Sequence, residues 1–304
     1  MGFELTILGS SSATPIYDRH PTSQVLVFRD RHFLIDCGEG TQMQMLKYRI
    51  RYHRISHIFI SHLHGDHYLG LIGLLSTYNL QGRSTDLHLF GQQELMDIID
   101  LHLRASQTVL RYNLIFHSVR HYAPEILFED DDIYVRSIVL NHRIPCTGFV
   151  FGEKPRSRRL RVEKLQEHNI PFTQYTRIKN GENFVDSEGN VISNKELTED
   201  PQPSRTYAFC SDTLYNPDLA EDVRGVDLLY HESTFLHEMQ ERAATTFHST
   251  AKEAAQVAKA AEVGKLIIGH FSARYKDVEP LLEEAKTVFE NTELALEGVV
   301  FKVE

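Results

Sequence analysis

The sequence predicts an α/β (α+β) fold in which two mixed sheets stack with helices outside, an αββα sandwich. Three observations carry that expectation. Strand-like and helical runs alternate from Phe3 to Leu103, a strand-rich stretch follows from Asn113 to Leu140, and the alternation resumes after Arg205. With 304 residues, 41% of them hydrophobic, the chain has enough apolar material for one domain, residues 1–304, built as two layers around one site.

Phe3 to Gly9 alternates as a first strand, and Gly9-Ser10-Ser11-Ser12-Ala13-Thr14-Pro15 is a loop of small residues. Gln24 to Phe28 and His32 to Ile35 read as a hairpin around Arg29-Asp30-Arg31. The second strand delivers Asp36-Cys37-Gly38-Glu39-Gly40-Thr41, a glycine-rich turn, and a helix from Gln42 to Lys47. Ile58-Phe59-Ile60 is a short buried strand, and Leu69 to Leu75 opens an apolar helix. Asp86 to Phe90 predicts another strand, Gln92 to Leu103 an amphipathic helix, and Asp132 to Leu140 a strand with β-branched residues.

Between the strand at Ile58 and the helix at Leu69 lies Ser61-His62-Leu63-His64-Gly65-Asp66-His67. Open α/β sheets place their sites at the carboxyl ends of strands, as here. Neutral imidazole and carboxylate are zinc ligands, so His62 and His64 can serve one centre and Asp66 and His67 a second. A single histidine is usually structural; three in this span, interleaved with Gly and Asp, point to metal.

The pattern recurs. Tyr207-Ala208-Phe209-Cys210 runs into Ser211-Asp212, Leu266-Ile267-Ile268 into Gly269-His270, and Ile138-Val139-Leu140 into Asn141-His142. One catalytic zinc takes three protein ligands and keeps a position open, so these residues are too many for one ion. Two zincs would share Asp212, with His62, His64 and His142 on one and Asp66, His67 and His270 on the other. Ions about 3.5–4 Å apart lower the pKa of a water to ~7 and offset charge on a phosphoryl or carbonyl oxygen. Asp66 can orient that water and take its proton. The chemistry is hydrolysis, of esters, thioesters, lactams or phosphodiesters.

Composition limits the setting. No apolar run spans a bilayer, and Met1-Gly2-Phe3-Glu4 lacks a signal peptide's charged start and apolar core, so no membrane role is expected. Cys37, Cys146 and Cys210 are too dispersed for a disulfide framework, which suits a reduced cytoplasm. A formal charge of −10 excludes indiscriminate attraction to nucleic acid, so any polyanion needs a local basic patch.

Residues 152–203 depart from the rhythm: hydrophobic periodicity weakens, and charge, Gly, Asn and Pro dominate. The segment reads as a long solvated insertion, or as an arm gripping a polyanion through Lys154-Pro155-Arg156-Ser157-Arg158-Arg159-Leu160-Arg161.

The run His62-Leu63-His64-Gly65-Asp66-His67, with its downstream His, Asp and His, resembles the metallo-β-lactamase superfamily. The wider motifs are similar to the ribonuclease Z family of transfer-RNA 3′-processing endonucleases, in its short form. They are Asp36 to Gln42, Ser61 to Gly70, Asn141 to Gly148, Ser211-Asp212-Thr213, His231-Glu232-Ser233-Thr234-Phe235, Phe247-His248-Ser249-Thr250-Ala251 and Gly269-His270-Phe271-Ser272 with Arg274 and Tyr275. The resemblance implies a metallo-β-lactamase-like sandwich and two Zn2+ per chain on the seven ligands, with Asp66 as proton acceptor. Mn2+ or Fe2+ suits the same donors. It implies that His248 donates a proton to the leaving 3′ oxygen and that Glu232 orients it; spacing alone allows His248 to be merely a helix cap. His231 would be structural.

The resemblance further implies a precursor tRNA substrate left with a 3′-OH, and a homodimer whose arm clamps the tRNA elbow on the opposite subunit. Lys154 to Lys164 would supply local positive charge, and Lys47-Tyr48-Arg49-Ile50-Arg51-Tyr52-His53-Arg54 is a second candidate, or an ordinary solvated helix end. The chain departs from the family at Phe172-Thr173-Gln174-Tyr175, where a Gly-Pro pair is usual, and at Tyr17-Asp18-Arg19-His20-Pro21, where an acidic residue enters a basic loop. Two rivals remain: a small-molecule phosphodiesterase or ester hydrolase of the superfamily, and a non-catalytic RNA-binding scaffold. The first has little use for a basic arm, and a scaffold tends to have lost ligands.

Overall fold

The computed structural model describes residues 2–16 and 18–304. Met1, and Tyr17 of the loop that departs from the family pattern, lie outside the described residues. The first sheet is built from β1 (Phe3–Gly9), β2 (Ser23–Phe28), β3 (Arg31–Cys37), β4 (Ile55–Phe59), β5 (Leu87–Gly91) and β6 (Leu114–Ser118). The strand Val300–Lys302 returns to the edge beside β1, giving seven strands in the order 300–302, β1, β2, β3, β4, β5, β6. β3 to β6 are parallel. The β2–β3 hairpin turns at Arg29, whose φ of 56° closes the tight connection.

The second sheet also has seven strands. Its edge is β7 (Ile126–Glu129), followed by β8 (Ile133–Leu140) and β9 (Cys146–Glu153), and then Thr206–Cys210, Leu228–Glu232, Lys265–Gly269 and Thr292–Leu294. The last four are mutually parallel. Helices α1 (Thr41–Lys47), α2 (Gly65–Tyr68), α3 (Leu71–Leu80) and α4 (Gln93–Ala105) follow strands of the first sheet. Ala251–Ala260 and Glu279–Lys286 pack on the second. The αββα sandwich predicted from pattern is the architecture observed.

Period-two alternation explains the layering. Phe33, Phe59 and Phe90 of the first sheet meet Phe149, Phe151, Phe209 and Tyr230 of the second in one aromatic core. Phe59 and Phe90 stack at 4.5 Å, and such pairs add about 0.5–1.5 kcal/mol each beyond burial. The opposite face of the first sheet sends Leu34, Ile58 and Leu89 against Leu71, Leu74 and Leu95 of the helices.

The helix foreseen from Leu69 begins at Leu71 as α3, and the separate turn α2 precedes it, the two divided at Leu69-Gly70. The reason is contact: Gly70 donates to the Cys37 carbonyl at 2.9 Å, and a Cβ there would fall 2.2 Å from the Gly38 carbonyl oxygen. Only glycine lets the histidine loop lie on the turn that follows β3.

The insertion is better ordered than its weak periodicity suggested. β9 keeps Gly152 and Glu153 in the sheet, so the excursion starts at Lys154, two residues later than the expected boundary. It folds over a small core of its own, with Leu165, Ile170, Ile178 and Leu197 buried and Leu160, Tyr175, Phe184 and Ile192 against them. Its ends meet where Glu153 N–H donates to the Arg205 carbonyl at 2.9 Å.

Candidate metal centre

Parallel strands leave their sheets at one edge, so residues far apart in sequence arrive together. Thr206–Cys210, Leu228–Glu232 and Lys265–Gly269 are in register, Cys210 beside His231 and Glu232 beside Gly269. Their exits carry Asp212, Glu232 and His270. β3 delivers Asp36, β4 runs on through Ile60 and Ser61 into the histidine loop, and the β8–β9 turn brings His142.

His64 Nδ1 lies 3.1 Å from both His62 Nε2 and His142 Nε2. Asp212 Oδ2 faces that group, 3.6 Å from His62 Nε2 and 3.8 Å from His142 Nε2. The other oxygen of the same carboxylate faces a second group. Asp212 Oδ1 is 3.3 Å from His67 Nε2 and 3.2 Å from His270 Nε2. Asp66 Oδ2 completes it, 3.4 Å from each of those nitrogens. Donors about 2.0–2.2 Å from a tetrahedral zinc stand ~3.3–3.6 Å from one another, close to the 3.1–3.8 Å found. His67 Nε2 is buried with no hydrogen-bond partner, although it sits among carboxylate oxygens. The donor set therefore fits a divalent cation, and Asp212 belongs to both groups.

The back of each ring is held. His67 Nδ1–H donates to Asp36 Oδ2 at 2.7 Å, and Asp36 also accepts Ser61 N–H at 2.7 Å and Ser61 Oγ–H at 2.8 Å. His62 Nδ1 is 3.0 Å from Ser61 Oγ, His142 Nδ1 is 2.9 Å from the Phe247 carbonyl, and His270 Nδ1 is 2.9 Å from Thr234 Oγ1. Such partners fix the tautomer, so that Nε2 presents its lone pair to the centre. His64 alone points Nδ1 inward. Phe247 and His270 hold φ near 60°, local strain concentrated at the site.

Charge agrees with donor type at His62, His64 and His142; at His67 burial opposes charge, but Asp212, Asp66 and Asp36 outweigh it and hold the ring well above the usual imidazole range. Burial, and then the neighbouring His67, holds His62 well below the usual imidazole range. Burial likewise lowers His64 and His142, keeping all three in the neutral form that coordinates. Burial opposes ionisation of Asp212, but His270, His67 and His62 outweigh it and keep it charged. Asp36, Asp66 and Asp212 converge on His67, three carboxylates around one imidazole. A divalent cation balances what a single proton on His67 does not.

Beside this centre Glu232 is wholly buried and saturated. Oε1 accepts His248 Nδ1–H at 2.9 Å, Ser249 N–H at 3.0 Å and Thr213 N–H at 3.1 Å. Oε2 accepts Thr234 N–H at 3.0 Å and Thr234 Oγ1–H at 2.7 Å. Burial opposes charge on His248, but the Glu232 carboxylate overcomes it and pushes the ring up to about 9. His248 lines a cavity of about 430 Å³ with Asp66, His64, His142 and Asp212, bordered by Glu39, Leu69 and Arg143. A second hollow on its other side is lined by Phe235, Arg242 and Arg274.

All nine residues singled out in the sequence, His62, His64, Asp66, His67, His142, Asp212, Glu232, His248 and His270, are thus brought together. His248 is not the helix cap: Thr250 caps Ala251–Ala260, in a reciprocal box with Glu253. His231 points away, its Nδ1–H donating to the Glu232 carbonyl at 2.7 Å. Sequence reasoning assigned no role to Asp36 or Thr234, although both lay in motifs it quoted. It also missed two backbone groups, the Phe247 carbonyl and the Ala13 N–H, which donates to Asp66 Oδ2 at 2.7 Å.

A family model described as anti-Pycsar protein Apyc1 matches residues 3–153, a stretch that holds His62 to His142 but not Asp212 or His270. Over 301 residues the chain is 46% identical to a protein named Ribonuclease Z from Bacteroides thetaiotaomicron, covering 99% of this chain and 95% of that one. Among solved structures it is similar to human tRNase Z, short form, at 26% identity and TM-score 0.72, with 99% of each chain covered. The metallo-beta-lactamase fold protein YhfI from Bacillus subtilis superposes with TM-score 0.70 at 17% identity, over 99% of this chain and 100% of that one, a likeness of fold.

Proposed function

The chain belongs to the ribonuclease Z family, and from that premise we propose that it cuts the 3′ trailer from precursor tRNA by phosphodiester hydrolysis. It is an endoribonuclease of the metallo-β-lactamase fold. The observation that carries the reading is Asp212, one oxygen toward His62 and His142 and the other toward His67 and His270, with the Glu232–His248 pair alongside.

His62, His64, His142 and Asp212 would hold one divalent cation, and Asp66, His67, His270 and Asp212 the other, zinc being the ion that best suits imidazole with carboxylate. When bound, such a pair supplies an ionised water at neutral pH and offsets charge on the phosphoryl oxygens. The chain's own residues do the rest. Asp66, ionised and pinned by the Ala13 N–H, accepts the proton of the attacking water. As the new O–P bond forms, the P–O3′ bond breaks. His248, protonated at neutral pH, gives its proton to the departing 3′ oxygen, and Glu232 holds the ring in place. The products are tRNA with a 3′-OH and a trailer with a 5′-phosphate.

The excursion 154–203 serves as the arm that holds the body of the tRNA, in a homodimer where each arm reaches the partner's substrate. Its independent core supports that role: it can be presented as a body. The enzyme works in the reducing cytoplasm, a setting supported by three free, buried cysteines, Cys37, Cys146 and Cys210. Among the described residues no helix is long and apolar enough to cross a membrane.

Incubation with 3′-extended precursor tRNA, with and without chelator, tests the function. Expected is a tRNA product ending in 3′-OH, lost with chelator and restored by zinc. Fully metallated protein that leaves the precursor intact overturns the proposal.

A further inference from the structure

Part of the positive charge expected of the arm is engaged within the fold, while Arg159 and Arg161 stay exposed. Lys154 pairs with Glu129 at 2.7 Å, Arg156 with Glu153 at 2.6 Å, Arg158 with Asp200 at 2.5 Å and Lys164 with Glu167 at 2.7 Å. Residues 154–203 hold nine Lys or Arg against eight Asp or Glu. The arm is nearly neutral.

The opposite holds between Glu39 and Asp66, where the sequence has no acidic residue at all. Lys47, Arg49, Arg51 and Arg54, at the end of α1 and in the turn before β4, are all exposed. Among the described residues none of the four makes an ion pair within 4.0 Å; the nearest aromatic contact is Lys47 over the Tyr48 ring. Arg51 precedes and Arg54 ends the 3-10 turn Tyr52–Arg54, which leads into β4 beside His32 of β3, so these two cations lie close together.

Arg49 adds an independent observation. It stands just past the C-cap of α1 with φ 56°, the left-handed position where glycine is favoured. Holding a side chain there costs about 1 kcal/mol, yet the chain places an exposed, unpaired guanidinium at it. The helix dipole explains Lys47 but not Arg49, Arg51 or Arg54. The tyrosines between them are engaged in the fold: Tyr52 stacks on Tyr78 at 6.2 Å and Tyr48 lies against Gly298. They offer no platform for unpaired bases, which leaves contact with a phosphate backbone.

We propose that Lys47, Arg49, Arg51 and Arg54 bind the phosphates of the RNA duplex adjoining the cleaved end, a subsite that rests on the nuclease reading above. Glu39, on the rim of the metal cavity, precedes α1, whose seven residues span ~10 Å. Arg54 stands at the start of β4, whose five residues (~17 Å) separate it from the end that carries the histidine loop, so the patch reaches from the end of α1 to the far edge of the sheet, placed for a stem rather than for the scissile bond.

Three variants test it: Arg49→Gly, Arg51→Gln/Arg54→Gln, and all three changes together. Cleavage of precursor tRNA is followed against KCl concentration, beside hydrolysis of bis(p-nitrophenyl) phosphate and binding of a short blunt RNA duplex. Each arginine removed should lower the slope of log KM against log salt by about 0.9, and the triple change should raise KM at low salt roughly ten-fold or more. Turnover of the small diester stays at wild-type level, and Arg49→Gly melts no lower than wild type because glycine relieves the strained position. Unaltered salt slopes in a protein that cleaves overturn the patch, and so does binding to phosphatidylglycerol vesicles that depends on these arginines while RNA slopes stay fixed. A wild-type protein that binds duplex with arginine-dependent slope but never cuts precursor tRNA overturns the nuclease reading instead.

Discussion

His248 and Glu232 face each other at 2.9 Å, Nδ1 to Oε1, across the edge where two parallel strands end. Because the folded pKa of His248, about 9, lies above the unfolded ~6.5, the pair's stabilisation is complete below the unfolded value and disappears as pH climbs through about 9. An acid must carry its proton, so kcat on precursor tRNA should fall along the same alkaline limb. Glu232→Gln removes the charge that holds the proton. The limb should shift to lower pH and kcat at neutral pH drop by roughly 10²-fold or more, with metal content unchanged. A pH–rate profile with elemental analysis checks this; an unmoved limb removes Glu232 from the role.

Asp36 fixes His67 from behind while taking two further hydrogen bonds from Ser61. Asp36→Asn keeps the shape but replaces one accepting oxygen by a donor, so one of these contacts is lost. Affinity for the metal should weaken by about 10–100-fold, as for other changes behind a ligating histidine. Competition with a chelator of known affinity measures it, and activity should return at high zinc.

Why the ligands were legible and Asp36 was not is a matter of distance along the chain. His62, His64, Asp66 and His67 announce themselves within six residues, and His142, Asp212 and His270 each follow a readable strand. The task of Asp36 depends on β3 lying parallel beside β4, a tertiary fact. The Phe247 carbonyl and the Ala13 N–H carry no side-chain signature. The arm hid its core because Leu165, Ile170, Ile178 and Leu197 follow no helical or strand period. Its near-neutrality could be counted in the sequence, but its pairing could not, since Lys154 meets Glu129 and Arg158 meets Asp200 only after folding.

Thr250 and His248 are two residues apart and do different work. Thr250 Oγ1 accepts Glu253 N–H at 3.3 Å and Glu253 Oε2 accepts Thr250 N–H at 2.9 Å, capping Ala251–Ala260. Thr250→Ala should cost about 1 kcal/mol and lower Tm by roughly 2–4 °C while kcat is retained. His248→Ala should do the reverse on kcat. Calorimetry and single-turnover cleavage on both variants separate the roles, and a Thr250→Ala protein as slow as His248→Ala contradicts the division.

Glu153 latches the arm at its neck. Arg205 grips its carboxylate with Nε and Nη2, each at 2.9 Å, Arg156 adds Nη2 at 2.6 Å, and Arg205 Nη1 reaches the Val303 carbonyl at 3.2 Å. One side chain thus ties the outgoing and returning ends of the excursion to the sheet. Burial would raise its pKa, but Arg205 and then Arg156 hold it at about 2. This contribution is present above the unfolded value near 4.5 and is lost only as pH falls toward 2, so the latch stays closed at every working pH. Glu153→Gln should loosen it: amide exchange across 154–203 speeds up and KM for precursor tRNA rises several-fold, with bis(p-nitrophenyl) phosphate turned over as before. Replacing 154–203 by a short linker, feasible because Glu153 and Arg205 already touch, should raise KM further along the same line. Equal losses on both substrates would make the excursion part of the catalytic scaffold and refute its role as a substrate arm.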